Sequence, residues 1–287
     1  MKLIATDLDG TLLNEEHEIS PENVKAIEKA NASGIEVIVA TGRSYESAKK
    51  PLNSVGLVCP IISLNGAVIY TETGEITRSV PLQKNVAKLI QHTCEKHDIY
   101  FELFTNKGGF SNNRDKFVQV VIDIFTSANP DLDASEVRKH AEQRFQNETI
   151  SIVENYDTVL AQDDIEVYKV LAFSLDKNNL QSVKEQLQSE SELAITSSGY
   201  DNLEFNHPDA QKGIALELVA NKLGINMKDV MAIGDNFNDV SMLKAAGRGV
   251  AMGNADVAIK KMCNYVTTTN KENGVAHAIE AMLNDLQ

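Results

Sequence analysis

Two carboxylates stand one residue apart near the start of the chain, where Asp7 and Asp9 are followed by Gly10 and Thr11. The apolar run before them predicts a buried strand, and the carboxyl end of such a strand is where open parallel sheets bind ligands. Neighbouring carboxylates repel each other unless a cation or a shared proton neutralises them. The spacing therefore indicates a metal site, although an acidic turn at a strand end fits this segment equally well when it is taken alone.

Two further predicted strands also end in polar side chains, and a lysine opens a later helix. Because the carboxyl ends of parallel strands meet at one edge of a sheet, we expect these groups to lie close together. Carboxylates suit Mg²⁺ and can act as nucleophiles toward phosphorus, whereas hydroxyl, N–H and ammonium groups stabilise charge on phosphoryl oxygens. Taken alone, each of these residues fits an ordinary turn or surface position. Taken together, their order along the chain favours phosphoryl chemistry. They are Thr41, Gly42, Lys212, Asp235, Asn238 and Asp239.

The predicted elements around these residues alternate in the manner of a parallel sheet. Strands and helices follow one another up to about residue 82, and the same alternation returns after about residue 206. The intervening residues break the pattern, with helices predicted over 84–97, 114–127, 134–147 and 177–190 among several strands. The sequence therefore predicts a discontinuous α/β domain, residues 1–82 and 206–287, that carries an inserted α+β domain, residues 83–205.

Composition limits the classes of partner. The 287 residues are 43% hydrophobic, enough for a substantial core, and carry a net charge of −14. This charge opposes binding to nucleic acid, but a divalent cation would let an acidic protein bind a phosphorylated metabolite. The three cysteines form no CxxC pair, which predicts free thiols. No apolar run is long enough to span a membrane and the first residues do not resemble a signal peptide, so a cytoplasmic protein is expected.

Four ordered motifs resemble those of the haloacid dehalogenase-like hydrolase superfamily, and more narrowly those of its Cof-type phosphatases. They are DLDGT at 7–11, VIVATGR at 37–43, Lys212 in AQKGIAL, and GDNFND at 234–239. The resemblance implies a Rossmann-like core with a C2-type cap, an Asp7 nucleophile, and Asp9 as the general acid and base. The spacing agrees with a cap between the second and third motifs, because about 170 residues separate Thr41 from Lys212.

The resemblance also implies a set of ligand contacts. Mg²⁺ is expected on Asp7, on the backbone carbonyl of Asp9 and on Asp235. Phosphate contacts are expected from the Leu8 N–H, Thr41, Gly42, Lys212 and Asn238. Asp239 is expected to hold Lys212 or a metal-bound water, and the roles of Arg43, Asn65 and His207 stay open.

These expectations favour a Mg²⁺-dependent phosphatase that acts on small phosphorylated metabolites, sugar phosphates first, through an aspartyl-phosphate intermediate. The phosphorylated ribitylamino-uracil of flavin synthesis and pyridoxal phosphate are alternative substrates. An alternative from another class is a receiver-like signalling module, which also combines acidic residues, a threonine and a lysine around a phosphorylated aspartate. The spacing of Asp7 and Asp9 and the inserted domain oppose that reading.

Overall fold

The computed structural model describes residues 1–128, 138, 149–198 and 201–285. The chain forms two compact units: a core unit, Met1–Ser79 with Asp209–Gln287, and an inserted unit, Val80–Pro208. The predicted boundaries of the insertion, 83 and 205, lie three residues inside this unit at each end.

The core unit contains an eight-stranded sheet. Numbered along the whole chain, its strands are β1 (Leu3–Thr6), β2 (Glu36–Ala40), β3 (Ile61–Ser63), β4 (Val68–Tyr70), β5 (Ile76–Ser79), β12 (Val230–Gly234), β13 (Arg248–Ala251) and β14 (Tyr265–Val266). Their order is β14-β13-β12-β1-β2-β3-β4-β5. All neighbours from β14 to β3 pair in parallel, and β3, β4 and β5 pair antiparallel.

The central strands are continuous apolar runs because helices cover a parallel sheet on both faces. All residues of β1 and β12 are buried, as are the last four residues of β2. The helices of this unit are α1 (Pro21–Ala32), α2 (Tyr45–Ser54), α7 (Lys212–Lys222), α8 (Val240–Ala245), α9 (Val257–Met262) and α10 (Gly274–Asn284). Helix α1 packs against α10, and α7 packs against α8.

The inserted unit has a mostly antiparallel sheet of six strands. They are β6 (Tyr100–Thr105), β7 (Gly108–Ser111), β8 (Ile150–Ile152), β9 (Val167–Phe173), β10 (Ala194–Thr196) and β11 (Asn202–Asn206), in the order β10-β11-β9-β6-β7-β8. Its described helices are α3 (Lys84–Lys96), α4 (Arg114–Ala128), α5 (Tyr156–Leu160) and α6 (Lys177–Leu187). One face of β6, β9 and β11 packs with apolar residues of α3 and α6 to form a separate hydrophobic core.

The predicted fold class, a parallel-sheet α/β core with an inserted α+β region, is confirmed. The strands β5 and β7 and the short helix α5 were not predicted, because the strand sequences ITRS and GGFS contain few apolar residues and the helix has only five residues. The helix predicted over 134–147 lies outside the described residues apart from position 138. None of the helices described in the structure combines the length and the apolar character needed to cross a bilayer.

Candidate active site

Asp7 lies at the carboxyl end of the central strand β1 and is only 5% exposed. Its N–H donates to the carbonyl of Ile233 on the adjacent strand β12, at 2.9 Å, which fixes the backbone at the strand end. Lys212, the first residue of α7, is fully buried, and its Nζ donates to Asp7 Oδ1 at 2.6 Å. No described residue donates to Oδ2, so this oxygen stays available to a ligand.

Asp239 holds the same lysine from the other side. Its Oδ1 accepts a hydrogen bond from Lys212 Nζ at 2.6 Å. Its Oδ2 accepts the N–H groups of Asp235 and Asn236, both at 2.9 Å. Both oxygens are therefore engaged, and the fully buried Asp239 anchors Lys212 and the turn after β12. A Cβ at Gly234 would lie 2.6 Å from Asp239 Cγ, so glycine is required for this close approach.

Gly10 and Thr11, which follow Asp9, both lie against the carboxylate of Asp235. Thr11 Oγ1 donates to Asp235 Oδ1 at 2.6 Å. Gly10 has a φ of +74°, and a Cβ there would lie 2.6 Å from Asp235 Oδ2. The turn Leu8–Leu12 thus brings its backbone against the carboxylate that follows β12. Sequence reasoning singled out Thr11 without a partner, because the partner lies 224 positions away.

The electrostatics of this cluster disfavour bare negative charge. Burial raises the pKa of Asp7 well above its ordinary value, and the carboxylates of Asp239 and Asp235 add to the shift while Lys212 opposes it. Burial and the Asp239 carboxylate raise the pKa of Asp235 to about 7. Burial disfavours the Lys212 ammonium, yet Asp239 and Asp7 together raise its pKa. One ammonium among several buried carboxylates leaves excess negative charge that a cation would neutralise.

The carboxylate oxygens form a candidate metal centre. Asp7, Asp235 and Asp239 each offer an oxygen, and these atoms lie within 4.8 Å of one another. Since both oxygens of Asp239 are already engaged, Asp7 and Asp235 are the two carboxylates best able to hold an ion. An all-oxygen set suits a hard divalent cation such as Mg²⁺, so the residues present fit the predicted metal.

The side chain of Asp9 is not part of this cluster of three carboxylates. It forms a two-pronged ion pair with Arg43, in which Nε donates to Oδ2 at 2.7 Å and Nη2 donates to Oδ1. The Asp9 side chain is 48% exposed, against 20% for Arg43. Sequence reasoning left the role of Arg43 open and missed this pairing, since 34 positions separate the two residues.

The remaining predicted phosphate contacts follow strands of the same sheet. Thr41 follows β2, is 1% exposed, and accepts the Arg43 N–H through Oγ1 at 3.1 Å. Asn238 lies in the turn after β12, and its Nδ2 donates to Asn65 Oδ1 at 3.3 Å. The Leu8 side chain is buried in the core. Contacts of Leu8, Thr41, Gly42 and Asn238 with phosphate stay predictions.

The chain matches the family described as haloacid dehalogenase-like hydrolase over residues 4–279. It belongs to this family. The resemblance drawn from the four motifs is thereby confirmed, and the protein is an enzyme, a phosphoric monoester hydrolase. The alternative of a receiver-like signalling module is excluded, because the match to a hydrolase family spans both units.

Named relatives agree with this assignment. The chain is 38% identical over 285 residues to phosphatase YwpJ of Bacillus subtilis strain 168, covering 99% of this chain and 100% of the relative. It is 36% identical to the B. subtilis 5-amino-6-(5-phospho-D-ribitylamino)uracil phosphatase YwtE, covering 99% and 98%. A solved haloacid dehalogenase-like hydrolase from B. subtilis matches with a TM-score of 0.89 at 38% identity, covering 98% of this chain and 99% of that structure.

Proposed function

We propose that the protein is a Mg²⁺-dependent phosphatase that cleaves small phosphorylated metabolites through a phosphoryl group carried on Asp7. The observation that carries the proposal is the placement of Asp7. It is a buried carboxylate at a strand end, with one oxygen held by Lys212 and the other not engaged by any described donor. A carboxylate in this position can act as a nucleophile toward phosphorus.

Asp7 and Asp235 would hold Mg²⁺ together with the backbone carbonyl of Asp9. When bound, the ion would neutralise charge on the phosphoryl oxygens and offset the repulsion between the carboxylates. Thr11 would keep Asp235 oriented through its hydrogen bond to Oδ1. Asp239 would act through Lys212, because both of its oxygens already hold protein groups.

In the first step, Asp7 Oδ2 would attack phosphorus and form an acyl-phosphate bond while the bond to the leaving oxygen breaks. Asp9, protonated and released from Arg43, would give its proton to that oxygen, so that the leaving group departs as a neutral alcohol. In the second step, the Asp9 carboxylate would take a proton from water as the water oxygen attacks phosphorus. The products are inorganic phosphate and the original Asp7 carboxylate. Such acid and base help is typically worth 10²–10⁴-fold in rate.

Phosphoryl oxygens would be bound by groups around the same edge of the sheet. Lys212 would supply a compact positive charge, Thr41 and Asn238 would supply side-chain donors, and Leu8 and Gly42 would supply N–H groups. Donors placed in advance in a buried site stabilise charge that develops during phosphoryl transfer without reorganising. These groups would bind the phosphoryl group of any substrate in the same way, since none of them would contact the leaving group.

The substrate class is that of small phosphorylated metabolites, with sugar phosphates as the general case. A second candidate is 5-amino-6-(5-phospho-D-ribitylamino)uracil, which is favoured by the name of the relative at 36% identity over nearly the whole chain. Its phosphorylated ribityl chain is a polyol phosphate, so both candidates present the same kind of leaving oxygen. Pyridoxal phosphate remains a further alternative.

The test begins with p-nitrophenyl phosphate, the purified protein and either EDTA or Mg²⁺. We expect many turnovers per enzyme with Mg²⁺ and loss of turnover with EDTA, reversed by added Mg²⁺. The active protein is then assayed against a panel of sugar phosphates, the ribitylamino-uracil phosphate and pyridoxal phosphate by release of inorganic phosphate. Full activity after complete metal removal would contradict the proposed metal dependence.

A further inference from the structure

Three successive residues between β3 and β4 adopt left-handed backbone conformations. Leu64 has a φ of +49°, Asn65 of +61° and Gly66 of +102°. Glycine tolerates this region and asparagine visits it, but leucine rarely does. Such conformations persist only where the surroundings hold them, and they concentrate at functional sites. We name residues 64–66 the left-handed turn.

The backbone of the left-handed turn holds the segment that follows β2. The N–H of Leu64 donates to the carbonyl of Arg43 at 3.0 Å, and the N–H of Asn65 donates to the carbonyl of Thr41 at 3.0 Å. Two successive donors thus bind the two residues that flank Gly42. The position of the Thr41 hydroxyl and of the Gly42 N–H is therefore set by the left-handed turn.

The same turn lies against the segment that delivers Lys212. A Cβ on Gly66 would lie 2.6 Å from the carbonyl oxygen of Gln211, so only glycine permits this approach. Arg78 fixes the arrangement, because Nη1 donates to the Gly66 carbonyl at 3.1 Å and Nη2 donates to the Asp209 carbonyl at 2.9 Å. The turn is therefore packed between two of the loops that would bind phosphate.

The Asn65 side chain extends to a third loop. It is 3% exposed, and its Oδ1 accepts a hydrogen bond from Asn238 Nδ2 at 3.3 Å. The carboxamide of Asn238 has two N–H hydrogens, so one remains for a phosphoryl oxygen while the other is held by Asn65. The Asn238 Oδ1 is buried and has no partner among the described residues, so Asn65 supplies the side-chain bond that orients this amide.

We propose that Asn65 is a positioning residue for phosphoryl transfer, acting through Asn238 with its side chain and through Thr41 with its N–H. This inference rests on the proposed function. Asn65 sets the spacing between donors on two loops so that they fit one phosphoryl group. A small misplacement of such donors is costly, because the rate depends steeply on their alignment with the reacting group.

The test separates the side chain from the backbone. Asn65→Gly removes the carboxamide but accepts a φ of +61°. The matched control is Asn273→Gly, at a residue with a φ of +58° and no side-chain cap hydrogen bond. Both changes give the unfolded chain the same extra freedom, but Asn65→Gly also removes a buried hydrogen bond, so its unfolding midpoint should lie below that of the control. Asn238→Ala and the double variant Asn65→Gly/Asn238→Ala complete the set.

With p-nitrophenyl phosphate and Mg²⁺, we expect Asn273→Gly to match the wild type. Asn65→Gly should lose roughly 10- to 100-fold in kcat/KM, and inhibition by inorganic phosphate should weaken in parallel. The double variant should be no slower than Asn238→Ala alone, since Asn65 acts through Asn238 in the side-chain part of its role. A purely structural role would lower the unfolding midpoint of Asn65→Gly but leave kcat/KM and phosphate inhibition of the folded protein unchanged.

If the wild type is active and Asn65→Gly has the same kcat/KM, the inference about Asn65 is overturned and the proposed function is not. The same holds if the fold-losses in kcat/KM of the two single variants multiply in the double variant. A wild type without Mg²⁺-dependent turnover would overturn the proposed function, and this inference with it. The two failures are therefore distinguishable in one set of assays.

Discussion

The Lys212 ammonium lies between two buried carboxylates and donates to each at 2.6 Å. Breaking a buried ion pair by removing one partner is costly because the remaining charge has lost its compensation. The lysine therefore keeps Asp7 and Asp239 close together in a buried site, in addition to any part it plays in binding phosphate.

Lys212→Ala should lower the free energy of unfolding by about 3–5 kcal/mol at neutral pH and strongly reduce turnover. Lys212→Arg should restore little activity, since a planar guanidinium does not fit where a compact ammonium binds two carboxylates. Urea unfolding and p-nitrophenyl phosphate turnover measure the two effects. Lys222→Ala, at the exposed last residue of the same helix, is the control and should change neither. Near-normal rates in Lys212→Arg would mean that charge alone matters.

The raised pKa of Asp235 predicts a pH-dependent stability. Its folded-state pKa of about 7 exceeds the ordinary 3.8, so the folded protein binds more protons than the unfolded chain between these values. The free energy of unfolding of the metal-free protein should therefore fall as the pH rises from about 4 to about 7. Bound Mg²⁺ would replace those protons, so added Mg²⁺ should raise the melting temperature more at pH 8 than at pH 5.

Thermal unfolding of EDTA-treated protein, with and without Mg²⁺, measures this effect. Asp235→Asn is the matched variant and should show a flatter pH dependence and a smaller Mg²⁺ effect. Equal Mg²⁺ effects at both pH values would exclude the buried carboxylates as the linked groups.

At the scale of elements, the turn Leu8–Leu12 depends on a glycine. Gly10→Ala would combine a left-handed backbone with a Cβ placed 2.6 Å from Asp235 Oδ2. Gly224→Ala is the matched control, with a φ of +70° and no atom within 4 Å of the added carbon. Backbone strain should lower the free energy of unfolding of both variants by about 1–2 kcal/mol. Gly10→Ala should also lose Mg²⁺-dependent turnover. Equal behaviour of the two variants, by unfolding and by turnover, would rule out the contact with Asp235.

The elements that hold the site were largely predictable from sequence. The strands ending before Asp7, Thr41 and Asp235 are largely apolar, and the helix that begins at Lys212 is rich in apolar residues. Contacts between distant residues could not be predicted, because no local pattern reports them. The pairing of Arg43 with Asp9 is one example. The dipeptide Asn65-Gly66 is typical of a tight turn, but it gives no sign that Asn65 binds Asn238.

At the scale of the whole molecule, the residues proposed to handle phosphate all lie in the core unit. The inserted unit has its own hydrophobic core, and we propose that it determines which leaving group is accepted. Replacing Val80–Pro208 with a short Gly/Ser linker should leave measurable Mg²⁺-dependent turnover of p-nitrophenyl phosphate. It should lower kcat/KM for the best metabolite of the panel much further, since contacts to the non-phosphate part would be lost.

The measurement is the ratio of kcat/KM for the two substrates, before and after the replacement, on protein shown to be folded by circular dichroism. A folded variant with an unchanged ratio would place selectivity in the core unit instead.

The central claim is that Asp7 carries the phosphoryl group, and trapping that species tests it most directly. Asp9→Asn should still form it from p-nitrophenyl phosphate, whose leaving group needs little protonation, but should hydrolyse it slowly for lack of a base. Rapid acid quench followed by intact-protein and peptide mass spectrometry should find one added phosphoryl group, located on Asp7 and removed by hydroxylamine. Asp7→Asn should show none. A protein that turns over substrate without any phosphorylated Asp7 in the Asp9→Asn variant would contradict the account.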